Sequence, residues 1–139
     1  ACVLPMNTRY SFDCGPVELE LAFTAPLFLD NLELVSRPVN YISYSVKSKD
    51  GGKHDVRIVF NAGREWAEDY AMDEKSTADT YEKNGITYVR TSCTEQNPLW
   101  KGGDGVRIDW GWFYLAADNC GTSASVTEDG DILQFRQND

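Results

Sequence analysis

The sequence is poor in histidine, with only His54 among its 139 residues. Nucleophilic catalysis by serine or cysteine needs a base beside the nucleophile, and a zinc or iron ion needs several converging ligands. His54 adjoins a glycine-rich turn, where side chains are solvated, so an ordinary surface residue is favoured over a catalytic one. No metal site and no cofactor are predicted, and no GxSxG nucleophile motif is present.

Basic residues are also scarce: 13 lysines and arginines stand against 22 aspartates and glutamates, for a formal net charge of −9. Such a surface repels phosphate backbones and anionic headgroups, so neither nucleic acid nor a membrane is an expected partner. No apolar run approaches the roughly 20 residues that cross a bilayer. The glycine-rich segment 101–105 leads into a predicted strand and contains an aspartate, which disfavours nucleotide binding.

The four cysteines form no CxxC pair, which disfavours thioredoxin-type redox chemistry and zinc ribbons. An even number permits two disulfides, in any of three connectivities. Small buried thiols without a disulfide are an equally weighted alternative. The four residues are Cys2, Cys14, Cys93 and Cys120.

Alternation of apolar and polar residues with a period of two is abundant, and it is typical of half-buried strands. The clearest runs are 17–24, 42–47 and 55–60. Because Asp50-Gly51-Gly52 can supply the positive φ angles of a tight turn, residues 41–60 are predicted to form a β-hairpin. Further strands are predicted at 10–12, 86–92, 106–117 and 132–136.

Short strands separated by turns, in a chain that is 42% hydrophobic, indicate an all-β fold. We predict one antiparallel β-sandwich domain over residues 1–139. Because the chain opens in a strand-like segment without a methionine, we expect a processed or trimmed chain that is one piece of a longer polypeptide. Residues 64–75 combine good helix formers with aromatic side chains, so a short helix and a loop remain alternatives there.

Asp109 is the carboxylate that stands out, because it lies between Ile108 and Trp110 in an apolar segment, where a charge needs a partner. A salt bridge is the favoured interpretation, and a ligand contact is the alternative. The arginines considered as partners are Arg107, Arg90 and Arg37. The acidic segment 128–131 lacks the EF-hand pattern, so an exposed turn is favoured over a calcium site.

Aromatic residues make up 12% of the chain, including four tryptophans. Exposed rings can stack on sugars, whereas rings at strand spacing fill a core or an interface. Trp100, in a loop rich in proline and glycine, is the best candidate for an exposed contact. The predicted ligand contacts are Asp109, Trp100 and Trp66. The predicted interface residues are Trp110, Trp112 and Tyr114.

Two blocks of the sequence resemble the central β-sandwich domain of the glutaminase A-type proteins of bacteria and fungi. They occupy residues 17–62 and 94–117, and their specific parts are the runs SRPV and RIDWG. The resemblance implies a sandwich that is incomplete in this chain and that precedes a helical toroid, in a protein that hydrolyses glutamine to glutamate and ammonia. No catalytic motif of that family lies in this stretch, so no catalytic residue is carried over.

The resemblance favours a non-catalytic accessory module that braces or lines the helical catalytic domain of a periplasmic or secreted protein. The chain alone is not expected to be an enzyme. A carbohydrate-binding module, with Trp66 and Trp100 as its exposed rings, is the alternative, and a hydrolase with clustered carboxylates is a third hypothesis. If closing strands are missing, an unpaired edge or an uncovered apolar face would favour self-association.

Overall fold

A computed structural model describes residues 1–69, 75–100, 102–107, 109–127 and 132–138; within 132–138, side chains are described for residues 134 and 136. These residues form ten strands, one short α-helix and one 3₁₀ helix. Every strand pairing among them is antiparallel, which confirms the predicted all-β class. The chain divides into two compact units, Ala1–His54 and Asp55–Asp139, each described separately below. The single domain over residues 1–139 stays a prediction.

The first unit is one antiparallel sheet with strand order β1-β2-β3-β4, and it includes helix α1. Its strands are β1 (Cys2–Leu4), β2 (Asn7–Cys14), β3 (Val17–Thr24) and β4 (Tyr41–Ser48), and α1 covers Leu32–Ser36. Asn31 caps α1, since its side-chain oxygen accepts a hydrogen bond from the Leu34 backbone N–H at 3.0 Å.

Alternation along β3 gives this sheet one apolar face, because the register places apolar residues opposite one another. Leu21 lies opposite Tyr10 and Tyr44, and Leu19 opposite Phe12 and Val46. Residues 1–54 are all described, and no second sheet within them covers this face. Phe12 therefore remains 43% exposed.

The second unit contains two three-stranded sheets, with strand orders β5-β10-β9 and β6-β7-β8. Their strands are β5 (Arg57–Gly63), β6 (Ser76–Lys83), β7 (Ile86–Cys93), β8 (Phe113–Asp118), β9 (Thr122–Val126) and β10 (Ile132–Asn138). Val89 on β7 is completely buried, and it packs against Phe60 of β5 and Leu115 of β8. The two sheets therefore enclose a core, as the sandwich prediction requires.

The predicted hairpin over 41–60 is wrong, although strands form on both sides of its turn. β4 pairs with β3, whereas β5 pairs with β10. Residues 49–56 form a connection much longer than the two-residue loop of a tight hairpin. The glycine-rich turn indicates that the chain bends there, but it does not determine which strands pair with β4 and β5. β3 provides β4 with a continuous register from Val17↔Ser48 to Thr24↔Tyr41.

The predicted strand 106–117 is also corrected, because β8 begins only at Phe113. Gly111 has a φ of 82°, a left-handed conformation that interrupts extended backbone. Two strands were missed, β6 and β9, whose sequences STADTYEK and TSASV contain little apolar alternation. Within 64–75, residues Arg64–Trp66 form the 3₁₀ helix, while 70–74 lie outside the described residues.

All four cysteines are free thiols, so the two-disulfide alternative is not realised. Of the four, only Cys93 is buried, which also contradicts the alternative of four buried thiols. The acidic segment 128–131 lies outside the residues that the structure describes. No helix in the described part of the chain is long and apolar enough to span a membrane.

Candidate functional site

A cavity of about 270 Å³ lies in the second unit, where the start of β6 meets the end of β7. The Thr94 backbone N–H donates to the Lys75 carbonyl at 2.8 Å and continues the pairing of these strands at this wall. The described residues that line the cavity are Lys75, Cys93, Thr94, Glu95, Asn97, Trp100 and Asp109.

Two of the three predicted ligand residues meet at this cavity. The indole Nε1 of Trp100 donates a hydrogen bond to Oδ2 of Asp109 at 2.7 Å. Asp109 is only 5% exposed, whereas Trp100 is 57% exposed. A hydrogen bond to a carboxylate is charge-assisted, so it offsets part of the cost of burying Asp109. The exposure predicted for Trp100 is confirmed, and its role as a ligand contact stays a prediction.

Two of the three arginines proposed to pair with Asp109 bind other carboxylates. Arg90 holds Asp79, with its Nε 2.7 Å from one carboxylate oxygen and its Nη2 2.9 Å from the other. Arg37 pairs with Glu33 in the first unit. The sequence correctly singled out Asp109 as a buried acid, but it did not indicate that an indole N–H would be a partner.

Gln96 joins the end of β7 to the turn that carries Gly111. Its Nε2 donates to the Ser92 hydroxyl at 2.6 Å and to the Cys93 carbonyl at 2.7 Å. Its Oε1 accepts the Gly111 backbone N–H at 2.8 Å, and the Ser92 hydroxyl donates to the Gly111 carbonyl. This network holds both ends of the segment that includes Trp100 and Asp109. Gln96 lies in the block 94–117 that carries the family resemblance, but its bridging role was not predicted.

The outer surface of sheet β6-β7-β8 carries a second group of predicted residues, Trp112 and Tyr114, which are 40% and 42% exposed. The Arg90 guanidinium lies 4.2 Å from the centroid of the Trp112 ring. Tyr81 and Tyr88 stack at 4.8 Å with an interplanar angle of 12°. We call Tyr81, Tyr88, Arg90, Trp112 and Tyr114 the aromatic face.

The aromatic face includes one ion pair, between Arg90 and Asp79. The register places Arg90 opposite both Asp79 and Tyr114. The hydrogen bonds from Arg90 hold the pKa of Asp79 below its ordinary value, and Asp79 in turn raises the pKa of Arg90. Residues 112–115 are apolar on both faces, a pattern typical of a strand that is covered on both sides, but Trp112 and Tyr114 stay partly exposed.

Trp66 and Trp110 belong neither to the described lining of the cavity nor to the aromatic face. Trp66, in the 3₁₀ helix, is 64% exposed and stacks on Phe113 with centroids 5.8 Å apart. It is not among the described residues that line the cavity, so the structure separates it from Asp109. Trp110 is partly buried and follows Asp109 directly.

His54 is less solvated than predicted, since its side chain is 25% exposed and lies 2.9 Å from an Asp50 carboxylate oxygen. Hydrogen bonds from His54, and then from the Gly52 backbone and the Ser48 hydroxyl, lower the pKa of Asp50 to about 2. No group of three or more histidine, cysteine or acidic residues in the described part of the chain could hold a metal ion.

The family described as a domain of unknown function (DUF5127) matches residues 6–139. The chain belongs to this family. It is also 26% identical over 120 residues to a protein named Glutaminase A from Aspergillus oryzae (strain ATCC 42149 / RIB 40), which covers 84% of this chain. The chain spans 17% of the length of that curated relative. No solved structure matches the chain.

Proposed function

We propose that the chain is a non-catalytic accessory β module of a glutaminase-related protein, in which it braces or lines a helical catalytic domain. The observation that carries the proposal is the 26% identity with Glutaminase A over 120 residues. That similarity covers 84% of the chain, so it is not confined to one motif. The activity belongs to the whole protein, and the module contributes support and surface.

The aromatic face is the surface that we assign to the helical domain. Interfaces are enriched in tryptophan, tyrosine and arginine, and such residues account for much of the binding energy. Trp112 and Tyr114 are exposed enough to be buried further by a partner. Arg90 is already held by Asp79, so docking would require little new ordering of this side chain.

Ammonia release from L-glutamine tests the proposal, measured for the chain alone and for the full-length protein that contains it. We expect activity only in the full-length protein. There, Trp112→Ser should lower kcat/KM several-fold, whereas Tyr41→Ser, at a ring that is 53% exposed in the first unit, should not. Ammonia release by the chain alone would contradict an accessory role, and an inactive full-length protein would contradict the relation to glutaminase activity.

Carbohydrate binding is the second candidate, and the observation in its favour is the exposure of Trp66 and Trp100, at 64% and 57%. Exposed indole rings can stack on sugar rings. Affinity electrophoresis on soluble polysaccharides, with Trp66→Ala and Trp100→Ala beside the unchanged chain, tests it. Retardation that both substitutions abolish would favour this candidate over a bracing role.

We further propose that the isolated chain self-associates through the apolar face of the first unit, and that the whole protein is periplasmic or secreted. Phe12 and Ile42, at 43% and 41% exposure, belong to a sheet face that favours burial. Light scattering after size exclusion should give more than one chain per particle, and Phe12→Ser should reduce it. A monomer at every micromolar concentration would contradict self-association, and cell fractionation tests the location.

A further inference from the structure

The turn that joins β6 to β7 consists of two exposed residues, Asn84 and Gly85. Their φ angles are 55° and 76°, and the strand register closes around them at Lys83↔Ile86. Positive φ angles at both central residues are the geometry of a type I′ hairpin turn, for which Asn-Gly is a preferred sequence. The turn is therefore well formed, and it presents both residues to water.

Two groups of this turn can react with each other, the side-chain amide of Asn84 and the backbone nitrogen of Gly85. Among the described residues, neither the Asn84 side chain nor the Gly85 N–H has a hydrogen-bond partner. A Cβ added to Gly85 would meet nothing within 4 Å, so the surroundings of its backbone are open. Asparagine is one of the thermolabile residues of proteins, and a following glycine leaves the attacking nitrogen least hindered because it has no side chain.

Asn84 is the only asparagine of the sequence that is followed by glycine. Hydrogen bonds to other residues already hold the side-chain amides of three others, Asn7, Asn31 and Asn61. Asn97 precedes Pro98, whose nitrogen carries no hydrogen. Asn119 precedes Cys120, whose backbone N–H donates to an Asp118 carboxylate oxygen at 2.9 Å. The structure therefore favours reaction at Asn84 over reaction at these positions.

We propose that Asn84 is a site of spontaneous deamidation. The Gly85 nitrogen attacks Cγ of Asn84 and forms a C–N bond, the bond from Cγ to the amide nitrogen breaks, and ammonia leaves with the proton of the Gly85 N–H. Water then opens the cyclic imide. Attack of water at Cγ gives aspartate, and attack at the backbone carbonyl carbon of residue 84 gives isoaspartate. The inference goes beyond the proposed function and does not depend on it.

The two products differ in their effect on the β6–β7 hairpin. Asp-Gly also suits a type I′ turn, so aspartate should preserve the register. Isoaspartate passes the main chain through the side-chain carbon and lengthens the loop, and loop length sets the register of a hairpin. Tyr81 and Tyr88, which stack at 4.8 Å, lie opposite each other close to this turn. Isoaspartate should therefore disturb this part of the aromatic face.

Incubation of the 139-residue chain in mildly alkaline buffer, followed by peptide mass spectrometry, tests the proposal. The peptide that contains Asn84 should gain the mass difference between an acid and an amide, and should separate into aspartate and isoaspartate forms. The peptide that contains Asn119 is the internal control and should convert at least about tenfold more slowly. In ¹H–¹⁵N spectra, the isoaspartate form should shift the amide signals of Tyr81 and Tyr88.

Asn84→Gly is the matched variant, because glycine adopts positive φ without strain and carries no side-chain amide. It should keep the amide spectrum of β6 and β7 and lose the conversion at this turn. Asn119→Gly, which removes an amide from the turn between β8 and β9, should leave conversion at Asn84 unchanged.

Two results would overturn the proposal. The first is an unchanged mass of the Asn84 peptide after prolonged incubation. The second is conversion of Asn119 at the same rate as Asn84, which would show that the free Gly85 nitrogen gives no advantage. The reaction releases one ammonia per chain and needs no glutamine, so its failure is distinct from failure of the proposed function.

Discussion

Both units are built from antiparallel strands, but they differ in whether a second sheet packs against the first. In the first unit, strands with clear alternation form a single sheet, and no residue of 1–54 is fully buried. In the second, two sheets face each other, and Val89, Thr91 and Ser92 are completely enclosed. Alternation therefore creates a face that favours burial, but a second layer decides whether burial occurs.

The polarity of a side chain does not by itself predict whether it is buried in these two units. The strongly apolar Phe12 of the first unit is 43% exposed, whereas Thr91 of the second is 0% exposed. Thr91 is satisfied inside the protein because its hydroxyl donates to Glu68 Oε1 at 2.8 Å. Glu68, itself 3% exposed, also lies 3.4 Å from Arg64 Nε. Burial in the second unit follows from position between layers and from paired polar groups.

The largest effect should come from deleting the same two methyl groups in each unit. Val89→Ala creates a cavity in a fully enclosed core and should lower the free energy of unfolding by about 2 to 3 kcal/mol. Val46→Ala, in the uncovered sheet, should cost less than about 1 kcal/mol. Urea denaturation measures both, and equal losses would show that the first unit is covered in solution.

A smaller effect is expected from substituting Gln96, whose side chain bridges the end of β7 and Gly111 in the second unit. Gln96→Ala removes donors to Ser92 and Cys93 and should cost about 1 to 2 kcal/mol. It should also speed amide exchange at Gly111, whose N–H loses its acceptor. Gln96→Glu is the matched control, because it keeps that acceptor. Unchanged exchange at Gly111 in the alanine variant would contradict the bridging role.

The Asp79–Arg90 pair should give a weaker, pH-dependent contribution to the second unit. Hydrogen bonds from Arg90 lower the pKa of Asp79 in the folded state, so the pair stabilises above the ordinary pKa of 3.8. The contribution should fall as the pH drops below that value and Asp79 becomes protonated. Asp79→Asn should remove the pH-dependent part, as measured by denaturation at a series of acid pH values. Parallel curves for the two proteins would contradict it.

The smallest effect is expected at Asp50, an exposed residue of the first unit. Its pKa of about 2 depends first on the hydrogen bond with His54, so His54→Ala should raise it toward 3.8. Stabilisation from this contact is present above 3.8 and is lost as the pH falls through about 2. NMR titration of the Asp50 carboxyl measures the shift, and Lys53→Ala, which removes a neighbouring side chain, should leave it unchanged.

Much of the fold could be predicted from local pattern, but pairing could not. β3 and β4 were recognised because their alternation is complete, and β6 and β9 were missed because theirs is weak. The prediction of a hairpin over 41–60 was wrong because a turn signal indicates a bend and does not show which strands pair. At the cavity, Asp109 and Trp100 were each recognised, but their contact spans a loop whose course no local pattern determines.

By itself, the sequence determined the all-β class, the apolar face of β3 and the choice of Asp109 as a buried acid. These follow from side-chain period and from the cost of burying charge, which are local properties. Only the tertiary structure decided which strands pair, which sheet is covered and which side chains meet at the cavity. Those outcomes depend on contacts between residues far apart in the chain, such as Phe60 with Val89 and Gln96 with Gly111.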